Sequence, residues 1–451
     1  MGLSFRNINM KYSRHLFVVA LLLYLAITPC RGSVRVIRTD ILVIGGGTAG
    51  VPAAIQAARL GCDVTLVEVG GQLGGTMTTG GVSFPGLFHA NGSQIIAGIG
   101  WDLVCEAVCM DGGTLPDFSK PYGNAHSRHQ VRINAPLYAA LAEDKCLQAG
   151  VHLRYYEFPS KIVKRACGWK VTLIGKGTEV TVLSKQIIDA TGNASAVALA
   201  GYERVRGEDT QPGSLIFQLK GYDVDKLDMI LLDSLFRKAR ADSLISVDNC
   251  YLSLRSLLNI DEGLAVSHVK GADSSTSETH TDANIAGRQG LLRLLRVLKT
   301  FPGLENITIK TARSEVAVRE SWRIVGEETV NYDDYISGRR FSDAVCYSFY
   351  PIDLHNESGV KPRQLEKGVV PTVPLRALIP KGSRNFIVAG RCISSDRLAN
   401  SALRVQASSM AMGQAAGAAA ALAVSDKCSP GQVSYDQLCS VLRANGAIVP
   451  E

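Results

Sequence analysis

The sequence predicts an α/β fold in which a discontinuous parallel sheet is interrupted by an inserted α+β domain. Three observations carry this. The stretch DILVIGGGTAGVPAAIQAARLGCDVTLVE (Asp40–Glu68) reads as strand, glycine turn, helix and second strand. Two remote apolar strands, in KQIIDATGNAS and RNFIVAGR, also end on small residues and glycine. Between them, from about residue 215 to 375, the strand–helix alternation lapses, as an insertion requires.

Each element follows from its residues. Ile41, Leu42, Val43 and Ile44 form an unbroken apolar run, the pattern of a strand buried on both faces. Gly45, Gly47 and Gly50 follow in G-x-G-x-x-G register. The first permits the tight turn, the second lets backbone approach a diphosphate, and the third lets helix pack closely on strand. Pro52 sits in the first helical turn, alanines keep the helix slim, and Gly61 ends it. Val64–Val67 make the second strand, and Glu68 closes it where a carboxylate can accept hydrogen bonds from a ribose. This is the Rossmann-like pattern of an FAD/NAD(P)-binding fold; the alternative is a glycine turn that holds nothing, and the complete strand–turn–helix–strand context favours the first.

The segment after Glu68 separates the two cofactors. An NAD dehydrogenase continues with strand–helix units, whereas GGQLGGTMTTGG places glycine pairs around Thr76, Thr78 and Thr79. That suits backbone running close to a phosphate, a ribityl chain and a ring. Thr191 and Gly192 end one remote strand, and Gly390 and Arg391 end the other. A long Ala/Gly-rich helix is expected from about Ala402, with Asn400 or Ser401 as its N-cap. Its N-terminal dipole would stabilise negative charge on a reduced flavin. Together these segments make FAD the expected cofactor.

Further strands are expected near 152–157, 170–174, 180–188 and 385–389, the middle ones forming a small antiparallel meander. Helical spacing marks LDMILLDSLFRKARADSL and IAGRQGLLRLLRVLKTF, while GADSSTSETHTDAN reads as a polar loop. The expected organisation is a signal peptide at 1–33, a first FAD-binding segment at 38–214, a substrate domain at 215–375, a second FAD-binding segment at 376–425 and a C-terminal segment at 426–451.

Composition bounds the rest. The 451 residues are 46% hydrophobic, enough for a large core or two linked ones. The net charge is +7, but Arg6, Lys11, Arg14 and Arg31 lie in an acid-free leader, and no basic run interleaves with aromatics, so nucleic acid is not an expected partner. Basic residues ahead of LFVVALLLYLAIT, about 13 apolar residues, read as an export signal; the run is short for a hydrocarbon core of about 30 Å, so no stable membrane span is expected. The protein is therefore expected to be periplasmic or secreted. Ten cysteines remain beyond the leader without metal-ligand spacing. They read as buried free thiols, and no metal site is expected. Four Asn-X-Ser/Thr sequons (Asn91, Asn193, Asn306, Asn356) matter only in a eukaryotic secretory pathway.

Four blocks, VIGGGTAG…VTLVE with GGQLGGTMTTGG, IIDATGNASAVALAG, VRESWRIVGEETVNYDDYISGRRFSDAVCYSFYPIDLH and VAGRCIS…RVQASSMAMGQAAGAAAAL, span roughly residues 38–425. On these the chain resembles the FAD-dependent oxidoreductases that share a nucleotide domain with glutathione reductase and the fumarate reductase flavoproteins, and more narrowly an exported subgroup of them. The resemblance implies that Gly45, Gly47, Gly50 and Glu68 hold the ADP half, and that Gly75, Thr76 and Gly81 lie along diphosphate and flavin. It further implies that Gly390, Arg391 and the Arg404–Gln414 helix start approach the flavin end, and that backbone near Pro159 or Ser160 touches adenine. LANSALRV departs from the bulkier, acid-containing version of relatives, which bears on the substrate.

No second G-x-G-x-x-G follows an apolar strand, and the C-x4-C of disulfide reductases is missing, since Cys62 stands alone. The expected activity is hydride exchange directly between flavin and a small organic substrate, with an unidentified electron partner. A flavin-assisted, redox-neutral elimination on a carbohydrate is the alternative, and a non-catalytic FAD-binding protein a third. Arg404 is the expected charge stabiliser near the ring. His89 reads either as acid or base or as a loop histidine bonded to backbone. Arg319, Glu320 and Arg323 read either as an anchor for an anionic substrate or as an ion-paired cluster. Tyr350 and His355 are further candidates, and Cys392 reads as a packed thiol or a covalent flavin attachment.

Overall fold

The computed structural model describes residues 35–120, 126–245, 253–258, 265–356, 359–360 and 362–451. The expected signal peptide at 1–33 lies outside the described residues.

The nucleotide motif folds as its glycines require. Strand β1 (Arg35–Ile44) turns at Gly45 into helix α1 (Gly50–Arg59), and β2 (Val64–Glu68) returns parallel to β1. Helices α2 (Ile99–Met110) and α3 (Ala135–Gln148) follow, and α3 leads to β3 (His152–Tyr155), parallel to β2. Then come β4 (Glu157–Arg165), β5 (Gly168–Gly175) and β6 (Thr178–Asp189).

The central sheet has seven strands in the order β3-β2-β1-β6-β5-β4, completed by a strand from the far end of the chain. One edge of β6 divides its partners. Thr178–Ser184 pair antiparallel with β5, and Ile187–Asp189 pair parallel with Phe386–Val388. The meander and the parallel sheet are therefore one sheet, joined along a single long strand. The sequence split this region differently: residues 157–165 form their own strand after a break at Tyr156, whose φ is 59°.

The insertion begins with β7 (Gly213–Lys220), followed by α4 (Met229–Ala241), β8 (Ala265–Val269), α5 (Ser277–Leu298) and β9 (Thr308–Ala312). Strand β7 is central, antiparallel to β8 and β9. These elements bury a core of their own, which includes Leu215, Phe217, Leu232, Phe236, Leu291 and Leu294. Residues 330–379 instead bury Val330, Tyr335, Phe349 and Leu378 into the main core. The polar stretch read as a loop is half helical: α5 starts at Ser277, because Thr276 caps the Thr279 N–H and Ala283 and Gly287 turn inward. Polar composition hid a helix whose exposed first turns need no apolar residue.

The chain returns through β10 (Phe386–Val388), then α6 (Arg397–Leu403) and α7 (Gln406–Ser425). The expected single helix is thus two. Asp396, not Asn400 or Ser401, caps α6 by accepting from the Ala399 N–H. Asn400 is committed elsewhere, donating to Arg391 O and Ser395 Oγ. Helix α7 begins after extended Val405 with no side-chain cap; the carbonyl of Pro85 takes the Ala407 N–H instead. It is the one described helix long and apolar enough to cross a membrane, yet 89% of that window is buried inside the protein.

Four of the nine described cysteines are buried, Cys146, Cys346, Cys392 and Cys439; Cys109 and Cys167 are exposed, against expectation. All nine are free thiols.

Candidate cofactor and substrate site

A cavity of about 880 Å³ runs between the central sheet and the insertion, large for a small-molecule site. Its nucleotide end is built by the first turn. A Cβ on Gly45 would sit 2.5 Å from Ala190 O, and one on Gly50 would sit 1.8 Å from Gly45 O, so both glycines serve the backbone. A Cβ on Gly47 would meet no protein atom within 4 Å, and Gly47 lines the cavity. That open cradle is what an approaching diphosphate needs. Glu68 lines the same end, its carboxylate accepting from Gly46 N and Gly70 N at 2.7 Å each. Burial pushes its pKa up, against the pull of those two N–H groups.

Arg391 supplies the charge. Its guanidinium donates to Gly192 O, Val318 O, Asn193 Oδ1 and Ser274 Oγ, all neutral, and it forms no ion pair among the described residues. Burial lowers its pKa to about 10. A desolvated cation held by neutral acceptors on a cavity wall calls for an anionic ligand. Among the described residues, the cavity-lining Ser214 Oγ, Gln406 Oε1 and Arg404 Nε find no hydrogen-bond partner. Gln406 and Ser409 bring the N-terminus of α7 onto the cavity. A diphosphate-bearing, ring-bearing cofactor fits this donor set.

At the other end a polar cluster gathers. Tyr350 OH accepts from Gln130 Nε2 at 3.0 Å and lies 3.2 Å from His126 Nε2. His355 Nε2 is 3.1 Å from Asp353 Oδ2, and Arg404 Nη2 reaches the same oxygen at 3.4 Å. Burial alone would raise Asp353, but the His355 hydrogen bond and the charges of Arg404 and Arg319 hold it at about 2. Burial takes His355 down to about 4 and His268 to about 3. At neutral pH Asp353 is ionised and the His268 and His355 rings are neutral beside Arg319 and Arg404. Gln211, fully buried, positions this end: its Oε1 accepts from His355 N and Arg404 Nη2, while Glu320 grips its N and Nε2.

Of the residues named from sequence, Gly45, Gly47, Glu68, Gly75, Thr76, Thr191, Gly192, Gly390, Arg391, Arg404 and His355 line the cavity, as does Pro159. Gly50 lies beneath the turn, and Gly81, at φ 74°, packs on Arg313 rather than lining the cavity. Gln414 is turned away into the core, where it binds Ile99 N, Gln56 and Asn445 O and so ties α7 to α2. His89 stacks on Phe118 at 3.7 Å and is held neutral by burial, its pKa lowered to about 4; it does not line the cavity. Arg323 is 6% exposed and donates to Ser395 O, behind the wall. Cys392 is fully buried and packed among β10 and β6 neighbours. Asn193, one of the sequons, holds Ser274, Ser321 and Arg391 inside the fold. Gln130, Gln211 and Asp353 escaped the sequence reading. Asp353 had a signal, two residues before His355 in YPIDLH; the glutamines had none.

A glycine turn at the end of a parallel strand, a carboxylate closing the next strand and a buried arginine on the cavity wall define a dinucleotide-binding fold. The chain belongs to the FAD dependent oxidoreductase family, which matches it over residues 40–442, and its cofactor is FAD. Among curated proteins it is similar to dihydrolipoyl dehydrogenase 3 of Haloarcula marismortui, 47% identical over 53 residues, 12% of this chain and 11% of that protein. It is also similar to the leghemoglobin reductase of Glycine max, 45% identical over 55 residues, 12% of this chain and 10% of that one. The chain thus spans only about a tenth of the length of these curated relatives in its match. Among solved structures it is similar to a geranylgeranyl bacteriochlorophyll reductase-like protein from Thermoplasma acidophilum, 14% identical with a TM-score of 0.41, over 91% of this chain and 84% of that one.

Proposed function

We propose that the protein exchanges a hydride directly between FAD and a small organic substrate, without a nicotinamide domain of its own. The supporting observation is the single cavity that joins the Gly47–Glu68 nucleotide end to the Tyr350, Asp353, His355 and Arg404 cluster. FAD, when bound, supplies two-electron redox chemistry. The chain's own residues hold and orient. Gly45, Gly47 and Glu68 take the adenosine diphosphate half, Arg391 its charge, and the N-terminus of α7 the ring end.

Substrate oxidation releases a proton, and the Asp353–His355 pair is placed to receive it. His355 is the proton acceptor of the pair. The carboxylate beside it then stabilises the imidazolium that forms. Arg404 holds Asp353 ionised and stands one residue before the extended Val405 that opens α7. Export through residues 1–33 belongs to the same proposal.

The absorption spectrum of the purified protein, followed by anaerobic mixing with candidate donors and acceptors, tests the reading. Bleaching by a donor and recovery by a separate acceptor are expected. A bound flavin that no donor reduces would refute hydride exchange, and turnover that needs no acceptor would assign redox-neutral elimination instead. Arg404→Ala is expected to slow flavin reduction at least tenfold while FAD occupancy holds; an unchanged rate removes Arg404 from the chemistry.

A further inference from the structure

Gln406, the first residue of α7, is pinned to the loop at 82–85 by two hydrogen bonds. Its amide nitrogen donates to Val82 O at 2.7 Å, and the next residue, Ala407, donates its N–H to Pro85 O at 2.7 Å. A carbonyl only accepts, so the amide atom facing Val82 is the nitrogen and the other is the oxygen. That oxygen, Oε1, finds no donor among the described residues, although Gln406 is only 7% exposed and lines the cavity. A fixed, buried acceptor of this kind is costly unless a ligand supplies the donor. The loop that holds Gln406 comes from the nucleotide turn. Gly74 bridges to Gly47 in parallel, its N–H donating to Gly46 O at 2.8 Å, and Gly75, Thr76, Gly80 and Val82 then line the cavity. One continuous segment therefore leads from the open cradle at Gly47 to the orphan oxygen of Gln406.

We propose that Gln406 Oε1 accepts the N3–H of the flavin ring and so reads the pyrimidine edge of FAD. Oxidised isoalloxazine carries one N–H, at N3; N1, N5 and the two carbonyl oxygens only accept. Beside Oε1, the first turn of α7 offers backbone N–H groups and the positive end of a 20-residue helix. A lone acceptor next to donors complements an N–H next to a carbonyl, which is the arrangement of N3–H and C2=O. A ribityl hydroxyl also donates, yet it presents no carbonyl beside its hydrogen. The carbonyl of Val82 keeps the amide of Gln406 from turning over, so the oxygen is set for a donor before any ligand arrives. The assignment deepens the function proposed above: it rests on FAD occupying the cavity, and it is independent of what the bound flavin then exchanges.

The test titrates the full chain, freed of flavin, with FAD and with 3-methyl-FAD, in which a methyl group replaces the N3 hydrogen. Binding is followed by calorimetry and by the flavin visible band, with no turnover. FAD is expected to bind about 10- to 100-fold more tightly than its methylated form. Gln406→Met supplies no comparable acceptor, and its flexible side chain yields to a methyl group, so the two flavins should then bind within about threefold of each other. ADP, which lacks the ring, should bind parent and variant equally. A measurement on the parent alone stands beside these: with FAD carrying an NMR-active nitrogen at N3, the N3 proton of the bound flavin should exchange with water more slowly than in free FAD. Equal affinity of the parent for the two flavins, or an N3 proton that exchanges as fast as in free FAD, overturns the assignment. So does a preference that survives in Gln406→Met, because another group then reads N3, and so does an ADP affinity that falls in the variant. Failure of every donor to reduce the bound flavin refutes hydride exchange and leaves these affinities standing, so the two proposals fail separately.

Discussion

Gly47 and Gly50 stand three residues apart in one turn and serve different ends. Gly50 lets α1 close on the turn, because a Cβ there would collide with Gly45 O. Gly47 leaves space that no protein atom claims, on the wall of the cavity. Gly50→Ala is therefore expected to destabilise the FAD-free protein by about 1–3 kcal/mol. Gly47→Ala should leave its thermal midpoint unchanged and weaken FAD binding at least tenfold. Calorimetric unfolding beside flavin titration separates the two, and equal midpoints for both variants would refute the division. The sequence motif named both glycines, since each role is a local backbone demand. It left His89 open between two readings, because an imidazole next to a glycine loop reads alike whether it faces a cofactor or stacks on Phe118.

Helix α7 is the element that joins core to site. Its alanines and glycines are buried along nearly the whole length, and it packs directly on α1. A Cβ on Gly413 would lie 2.1 Å from Ala49 O, and one on Gly417 would lie 2.3 Å from Ala53 O. The small-residue run was legible because close helix contact admits nothing larger. The break at Arg404–Val405 was not. It depends on Asn400 being drawn to Arg391 O and on Pro85 O reaching Ala407 N, contacts with chain remote in sequence. Gly417→Ala should push α7 off α1, costing about 1–3 kcal/mol, and should also lower FAD occupancy at the far N-terminal end of the helix. Denaturant unfolding and the flavin-to-protein absorbance ratio check both effects; a loss of stability with full occupancy would show that α7 does not position the site.

For the whole molecule, the buried histidines set an acid limit. His268 and His355 are held at about 3 and about 4, below an unfolded value of about 6.5. Between about pH 6.5 and 4 the unfolded chain binds more of their protons, so stability falls as pH drops through that window. Asp353 behaves oppositely. Its folded value of about 2 lies below an unfolded one of about 3.9, so its contribution is intact above about 3.9 and is lost only as pH falls toward 2. Urea midpoints of the FAD-free protein should decline from pH 6.5 to 4, and the decline should be shallower in a His268→Asn, His355→Gln double variant, by on the order of 1 kcal/mol per pH unit. Parallel profiles for variant and parent would refute burial of the neutral rings.

The sequence by itself determined the sheet-and-glycine framework and the glycine-turn residues that line one end of the cavity. Those rest on short-range rules: apolar runs make buried strands, and particular turns admit only glycine. It could also name Arg391, because that residue directly follows the glycine that ends a strand. Only the tertiary structure decided that Gln130, Arg319, Tyr350, Asp353 and Arg404 share one cavity end with Gln211 behind them, while Arg323 and Gln414 face away from it. Burial, net charge and hydrogen-bond partnership are properties of segments brought together from across the chain, and no local pattern encodes which side of a wall a side chain will take.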